Sequence, residues 1–410
     1  MPPHPFRRRR VPAMLVATGA LLLVGLTLVA SAAGAQPAAP TTDSVEAQAA
    51  ARVADAVCDR RVVLLGELPD HGHARGFGVK ARIVERLVSR CGFRAVLFEA
   101  GSYDFFGLER AMAARAPTDS LELALARAIG GMWWTRELGG FRRWLVRQAV
   151  TGRVSVGGID DQPIGMTAAY ARATLPGLVG AAVPPARAAE CRDVVARHVE
   201  WSYDATHRYD GPEHARLAEC TRLAADRTPG PSRTPDEAML DDLAGYAARE
   251  RGEAPDRDLA MARNVAWWSA RLPKDARIVV WTATVHAARS AGTPPVRPGG
   301  VPPMGERLAE RMRDRMAVIG FTALRGQWAR AGRPSQAMDA VPADALEARA
   351  LARAAGDTAA WTYLDRARLR ALGAAPSRLF GKVATGDWAA AFDGVLVLRD
   401  EAAPTFEPRR

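Results

Sequence analysis

Hydrophobic positions along this chain repeat with two periods. Val62 to Leu65 is a short, β-branched apolar run, as expected of a strand buried on both faces. It ends in a polar turn, Gly66-Glu67-Leu68-Pro69-Asp70-His71-Gly72-His73. Beyond the turn, Ile83, Val84, Leu87, Val88 and Cys91 recur at spacings of three and four, one apolar stripe of a helix. Gly92 stops that helix, and Ala95 to Phe98 is a second strand ending in Glu99. Val154 to Gly158 is a third strand, leading into Ile159-Asp160-Asp161, and Ile278 to Trp281 a fourth, followed by Thr282-Ala283-Thr284-Val285-His286. Ala317 to Thr322 and Val395 to Leu398 are later strands.

Between the strands the period is helical. Ser44 to Cys58 leads into the first strand, and helical segments run from Gly101 to about Gly130. Gly131-Met132-Trp133-Trp134-Thr135-Arg136-Glu137 opens a further helix with Phe141, Trp144 and Leu145 on its apolar side. Residues from about 166 to 252 are helical and charged and read as an insertion covering the sheet; Arg257 to Leu272 is one more helix. Strands alternating with helices predict an α/β fold, with a mostly parallel central sheet flanked by helices.

In an open sheet of this kind ligands bind at the carboxyl ends of the strands. Glu67, His71 and Glu99 all stand there, on two strands expected to be neighbours. Two acids sharing one cleft would repel and raise one pKa, which suits acid–base work. An imidazole can take a proton from water near neutral pH when a carboxylate orients it. His73 begins the helix and is expected to face solvent.

The N-terminus alters the domain boundaries. Arg7 to Arg10, the apolar stretch Val11 to Ala30 and Ala33-Gly34-Ala35 form a secretory signal peptide over residues 1–35, followed by a short tether to about residue 45. One domain then occupies residues 46–410, and the protein is expected to be exported, touching a membrane only through an uncleaved signal. The formal charge is +11, but four of those charges are Arg7 to Arg10, and only three lysines occur: Lys80, Lys274 and Lys382. No basic run with interleaved aromatics follows, so nucleic-acid binding has no support. Four cysteines in an exported chain favour disulfides. Cys58 and Cys91 each precede a strand and would meet at one sheet edge, while Cys191 and Cys220 lie on helices that pair, so Cys58–Cys91 and Cys191–Cys220 are the expected bridges. Zinc spacings, a phosphate loop and a Gly-x-Ser-x-Gly elbow are absent from the sequence, and no cofactor is implied.

An ordered set of motifs adds to this. Gly66-Glu67, His71-Gly72, Lys80, Glu99, the Trp-bearing stretch Met132 to Glu137, Gly158-x-Asp160, Arg257-x-x-x-Met261-x-x-Asn264, Val280 to His286 and Met304-Gly305 follow one another along the chain. In this order they resemble the erythromycin esterase family. The resemblance implies a metal-independent hydrolase in which a histidine activates water to attack an ester or lactone of a small molecule. It implies a catalytic set of His71, Glu67, Glu99 and His286, with Lys80, Glu137, Asp160 and Arg257 contacting substrate. The sequence departs from the family pattern twice: one extra residue separates Glu67 from His71, and Ala283 stands where a first histidine precedes His286. The alternatives are a haem-type small-molecule binding protein on a related scaffold and a metal-dependent hydrolase.

Overall fold

The structure is a computed structural model describing residues 42–163, 168–226, 234–253, 256–290, 301–355 and 359–408. The expected signal peptide and most of the expected tether lie outside the described residues. Among the described residues ten strands follow in chain order: β1 (Val62–Glu67), β2 (Phe93–Gly101), β3 (Ser155–Asp160), β4 (Arg277–Ala283), β5 (Met316–Trp328), β6 (Gln336–Ala337), β7 (Trp361–Asp365), β8 (Ala375–Phe380), β9 (Lys382–Gly386) and β10 (Gly394–Glu401). The central sheet has the order β3-β2-β4-β1-β5-β10-β7. Every pair along it is parallel except β10 with β7, so the expected α/β class holds.

One expectation about the sheet fails. β1 and β2 are not neighbours, because β4 runs between them and pairs with both. Among the described residues the chain leaves through β3 and five helices of 13 to 16 residues, then returns into the centre. This insertion has a consequence for the site, since β4 can donate to acids on both sides.

Side chains alternate across the sheet, as the strand period of two requires. Val62, Leu64, Leu97 and Val280 pack on one face with the helices of the insertion, including Ala169–Ala182, Ala188–Glu200 and Pro235–Glu250. Val63, Leu65, Phe98 and Trp281 pack on the other against Ala74–Cys91 and Gly139–Val150. Both faces are covered, so the strands are apolar runs.

Local signals explain the ends. Gly92 closes the helix Ala74–Cys91 at φ +72°, a left-handed conformation that costs glycine little. The Trp-bearing stretch forms a short 3-10 turn, Arg136–Leu138, before its helix begins at Gly139. Both expected disulfides are present, Cys58–Cys91 and Cys191–Cys220. The Arg277 guanidinium donates to the carbonyls of Cys58 and Cys91, fixing the amino edge of the sheet. Among the described residues no helix is long and apolar enough to cross a membrane.

Candidate active site

Glu67 is the last residue of β1 and is almost wholly buried, at 2% exposure. Its carboxylate is saturated with donors. Trp133 Nε1 donates to Oε1 at 2.7 Å, Trp281 Nε1 to Oε2 at 2.8 Å, and Lys80 Nζ to Oε2 at 2.7 Å. His71 Nδ1 lies 2.7 Å from Oε1; a carboxylate only accepts, so this nitrogen carries the proton and Nε2 is turned away from Glu67. Lys80 and His71 hold the Glu67 carboxyl below its ordinary range despite complete burial.

His71 sits in the left-handed region at φ +52°, uncommon for a side chain of this size. Its amide donates to the carbonyl of Leu68, which closes the turn. Gly72 follows because a Cβ there would stand 2.3 Å from the Ala329 carbonyl oxygen. The extra residue between Glu67 and His71 is thus absorbed by a tight turn, and the imidazole still reaches the carboxylate.

Glu99, near the end of β2, is equally buried. Its Oε2 accepts from Thr282 Oγ1 and the Ala283 amide, both at 2.7 Å, and both belong to β4. Its Oε1 accepts from Arg257 at 3.1 Å and lies 3.1 Å from His286 Nε2 and 4.0 Å from His71 Nε2. His286 and Arg257 hold Glu99 well below the usual carboxylate range. The expected repulsion between Glu67 and Glu99 does not operate: each acid has its own cations, and neither pKa is raised.

His286 belongs to the short helix Thr284–Ala287, just past β4. Its Nδ1 lies 2.9 Å from Asp258 Oδ1. With carboxylates at both ring nitrogens, the imidazolium is favoured, and its pKa rises to about 9 against the pull of burial. Arg257 Nη1 also approaches Nε2, at 3.1 Å. In the charged state that approach is a contact between two donors sharing Glu99. The same guanidinium donates twice to Asp160, through Nε at 3.0 Å and Nη2 at 2.5 Å. Asp160 ends β3, so four strand ends converge here.

The structure therefore brings together Glu67, His71, Glu99, Asp160, Arg257 and His286. Two expected substrate contacts lie elsewhere. Lys80 is completely buried beneath Glu67 with its ammonium over the Trp281 ring at 4.4 Å, so it supports the carboxylate from inside. Its burial lowers its pKa to about 8. Glu137 is exposed and accepts from the Thr405 amide near the C-terminus. His73 is not solvent-facing: it is buried, 2.5 Å from Asp70 through Nε2. Ala283 offers no side chain, but its amide takes part by holding Glu99.

Four participants were not assigned to the site from sequence. Trp133, Trp281 and Thr282 escaped because a single indole N–H or hydroxyl leaves no periodic trace. Asp258 did leave one: it falls on the buried stripe Asp258, Met261, Val265 and Trp268, where an acid is out of place.

Beside Glu99 opens a cleft of about 310 Å³. Asp160 and Arg257 share its wall with Tyr103, Ile129, Gly131 and Met132. Its mixture of apolar surface and a few charges suits a small organic ligand. Among the described residues no group of three or more His, Cys, Asp or Glu is placed to hold a metal ion.

A model of the erythromycin esterase family matches residues 88–400. The chain belongs to the erythromycin esterase family. That span holds Glu99, Asp160, Arg257 and His286, while Glu67 and His71 precede it. In sequence, no curated protein matches the chain. Among solved structures, it is similar to a succinoglycan biosynthesis protein, with a TM-score of 0.64 and 14% identity over 87% of this chain and 92% of that one. A Bacillus cereus protein gives 0.63 and 14% over 90% and 100%. An erythromycin esterase mutant in its open conformation gives 0.56 and 18% over 88% and 95%. At these identities the structures establish a shared fold. The family itself marks the chain as a hydrolase acting on a small molecule.

Proposed function

We propose that this protein is an exported, metal-independent hydrolase of an ester or lactone, with His71 as the general base. One observation carries the reading. Two carboxylate–imidazole pairs, Glu67–His71 and Asp258–His286, turn their Nε2 atoms toward the same oxygen of Glu99 beside the cleft. In the first pair, the 4.0 Å gap to Glu99 is too long for a hydrogen bond, so His71 Nε2 can accept a proton from water. The water oxygen then attacks the carbonyl carbon, and the carbonyl becomes an oxyanion. Arg257, which lines the cleft, and the charged His286 behind Glu99 supply positive charge for that oxyanion; a preorganised donor contributes about 10²–10³ in rate. The oxyanion collapses to a carbonyl, the acyl C–O bond breaks, and the His71 imidazolium gives its proton to the leaving alkoxide, releasing acid and alcohol. General acid–base work of this type contributes about 10²–10⁴.

Export is supported by two disulfides, which persist in oxidising compartments. The test is a panel of lactones and small esters incubated with the protein and a chelator in ¹⁸O-labelled water. The proposal expects turnover, with one label in the carboxyl of the released acid and no acyl-enzyme by mass spectrometry. No turnover across the panel, or a trapped acyl-enzyme, would overturn it.

A further inference from the structure

We propose that Asp258 is a positioning residue for His286, fixing which ring nitrogen faces Glu99 and tying the ring to the segment that begins at Met304. This rests on the hydrolase reading for its kinetic consequence but not for its geometry.

Asp258 is wholly buried at the start of the helix Arg257–Arg271. It is not the helix cap, because Asp256 does that work by accepting from the Leu259 amide. Its Oδ1 instead meets His286 Nδ1 at 2.9 Å and accepts from the Met304 amide at 2.8 Å. Successive helix residues point about 100° apart, so Arg257 and Asp258 diverge from one turn and flank one imidazole, Asp258 accepting at Nδ1 and Arg257 sharing Glu99 with Nε2. Arg257 reaches Nε2 and Asp258 reaches Nδ1. With Nδ1 committed to Asp258, Nε2 must face Glu99, which lines the cleft. A buried carboxylate behind a working imidazole sets its tautomer and stabilises its charged form. Among the described residues the charged groups around the ring include Glu99 from β2, Arg257 and Asp258 from the helix, Asp160 from β3 through Arg257, and His71 across Glu99. The raised His286 pKa agrees with acids at both nitrogens.

The experiment compares wild type, Asp258→Asn and His286→Gln, each ¹⁵N-labelled at histidine. The His286 resonance is the one missing from His286→Gln. In wild type its Nδ1 is expected to carry a proton throughout the titration, with a midpoint above the ordinary 6.5. Asparagine keeps an acceptor for the Met304 amide but removes the charge, so the midpoint should fall by at least about one unit. If the wild type hydrolyses a panel ester, kcat should drop about 10- to 100-fold with a smaller change in KM. An unshifted midpoint in Asp258→Asn overturns the proposal. So does a wild-type His286 whose Nδ1 is unprotonated at neutral pH, a result that needs no variant to fold. Absence of ester turnover with the midpoint shifted would count against the hydrolase reading alone.

Discussion

Asp242 gives the sharpest stability prediction. It lies on the insertion helix Pro235–Glu250, between Ser102, just past β2, and Asn264 of the helix Arg257–Arg271. Ser102 Oγ lies 2.5 Å from its Oδ2, and Asn264 Nδ2 lies 3.0 Å from its Oδ1. Burial, with Asp161 and Asp160 nearby, lifts its pKa from 3.8 to about 8. The carboxyl is therefore neutral at pH 7 in the folded protein and ionised in the unfolded one. A group whose folded pKa is raised contributes stability that is complete below pH 3.8 and lost as pH climbs to about 8. One pH unit is worth about 1.4 kcal/mol, so by pH 7 the loss amounts to about 4 kcal/mol. Asp242→Asn copies the shape of the protonated acid, with Oδ1 accepting from Asn264 and Nδ2 donating to Ser102 Oγ, and it cannot ionise. Urea unfolding of both proteins from pH 4 to pH 8 is the assay. The variant should match wild type at pH 4 and exceed it by about 4 kcal/mol at pH 7. A variant less stable than wild type at pH 7 would refute the reasoning, because the carboxyl would then be an ionised acceptor.

Three more predictions follow from the site. Glu67→Gln strands the buried Lys80 ammonium and should cost about 3–5 kcal/mol in urea unfolding at pH 7. Lys80→Met leaves Glu67 three N–H donors, from His71, Trp133 and Trp281, and should cost less; the reverse order would contradict the assignment of Lys80 as support. His286 has a raised folded pKa, so the stability it contributes is present below pH 6.5 and lost as pH rises to about 9. The stability difference between wild type and His286→Gln should shrink across that window, and a constant difference would count against a charged imidazole. Gly72→Ala pushes a methyl against the Ala329 carbonyl and should cost about 1–3 kcal/mol while displacing His71; an unaltered melting curve would disprove that close approach.

What could be read from the sequence follows from what leaves a periodic or positional trace. The parallel strands were legible because burial on both faces makes continuous apolar runs, as in Val62 to Leu65 and Val280 to Trp281. The disulfides were legible because each cysteine has a defined place beside an element. Strand order was not: nothing local in Ile278 to Trp281 says that this strand enters between β1 and β2. That single tertiary fact is why Trp281, Thr282 and the Ala283 amide serve the two acids. Lys80 lies on the Glu67 side of its helix, and only the packing decides that it is sealed inside instead of facing ligand. Glu137 read as a site residue because it closes the family-like motif Met132 to Glu137, yet it lies in the turn Arg136–Leu138 and is exposed. The antiparallel β7 and the β8–β9 hairpin are short and partly exposed, too weak a pattern to stand out.

The central claim is that His71 takes the proton from the attacking water. The most direct measurement is kcat/KM for the best panel ester with wild type and His71→Ala, each first shown to be folded by its unfolding curve. The account predicts a loss of at least about 10² in the variant, the lower bound for a positioned general base. Equal turnover by the two proteins would contradict it.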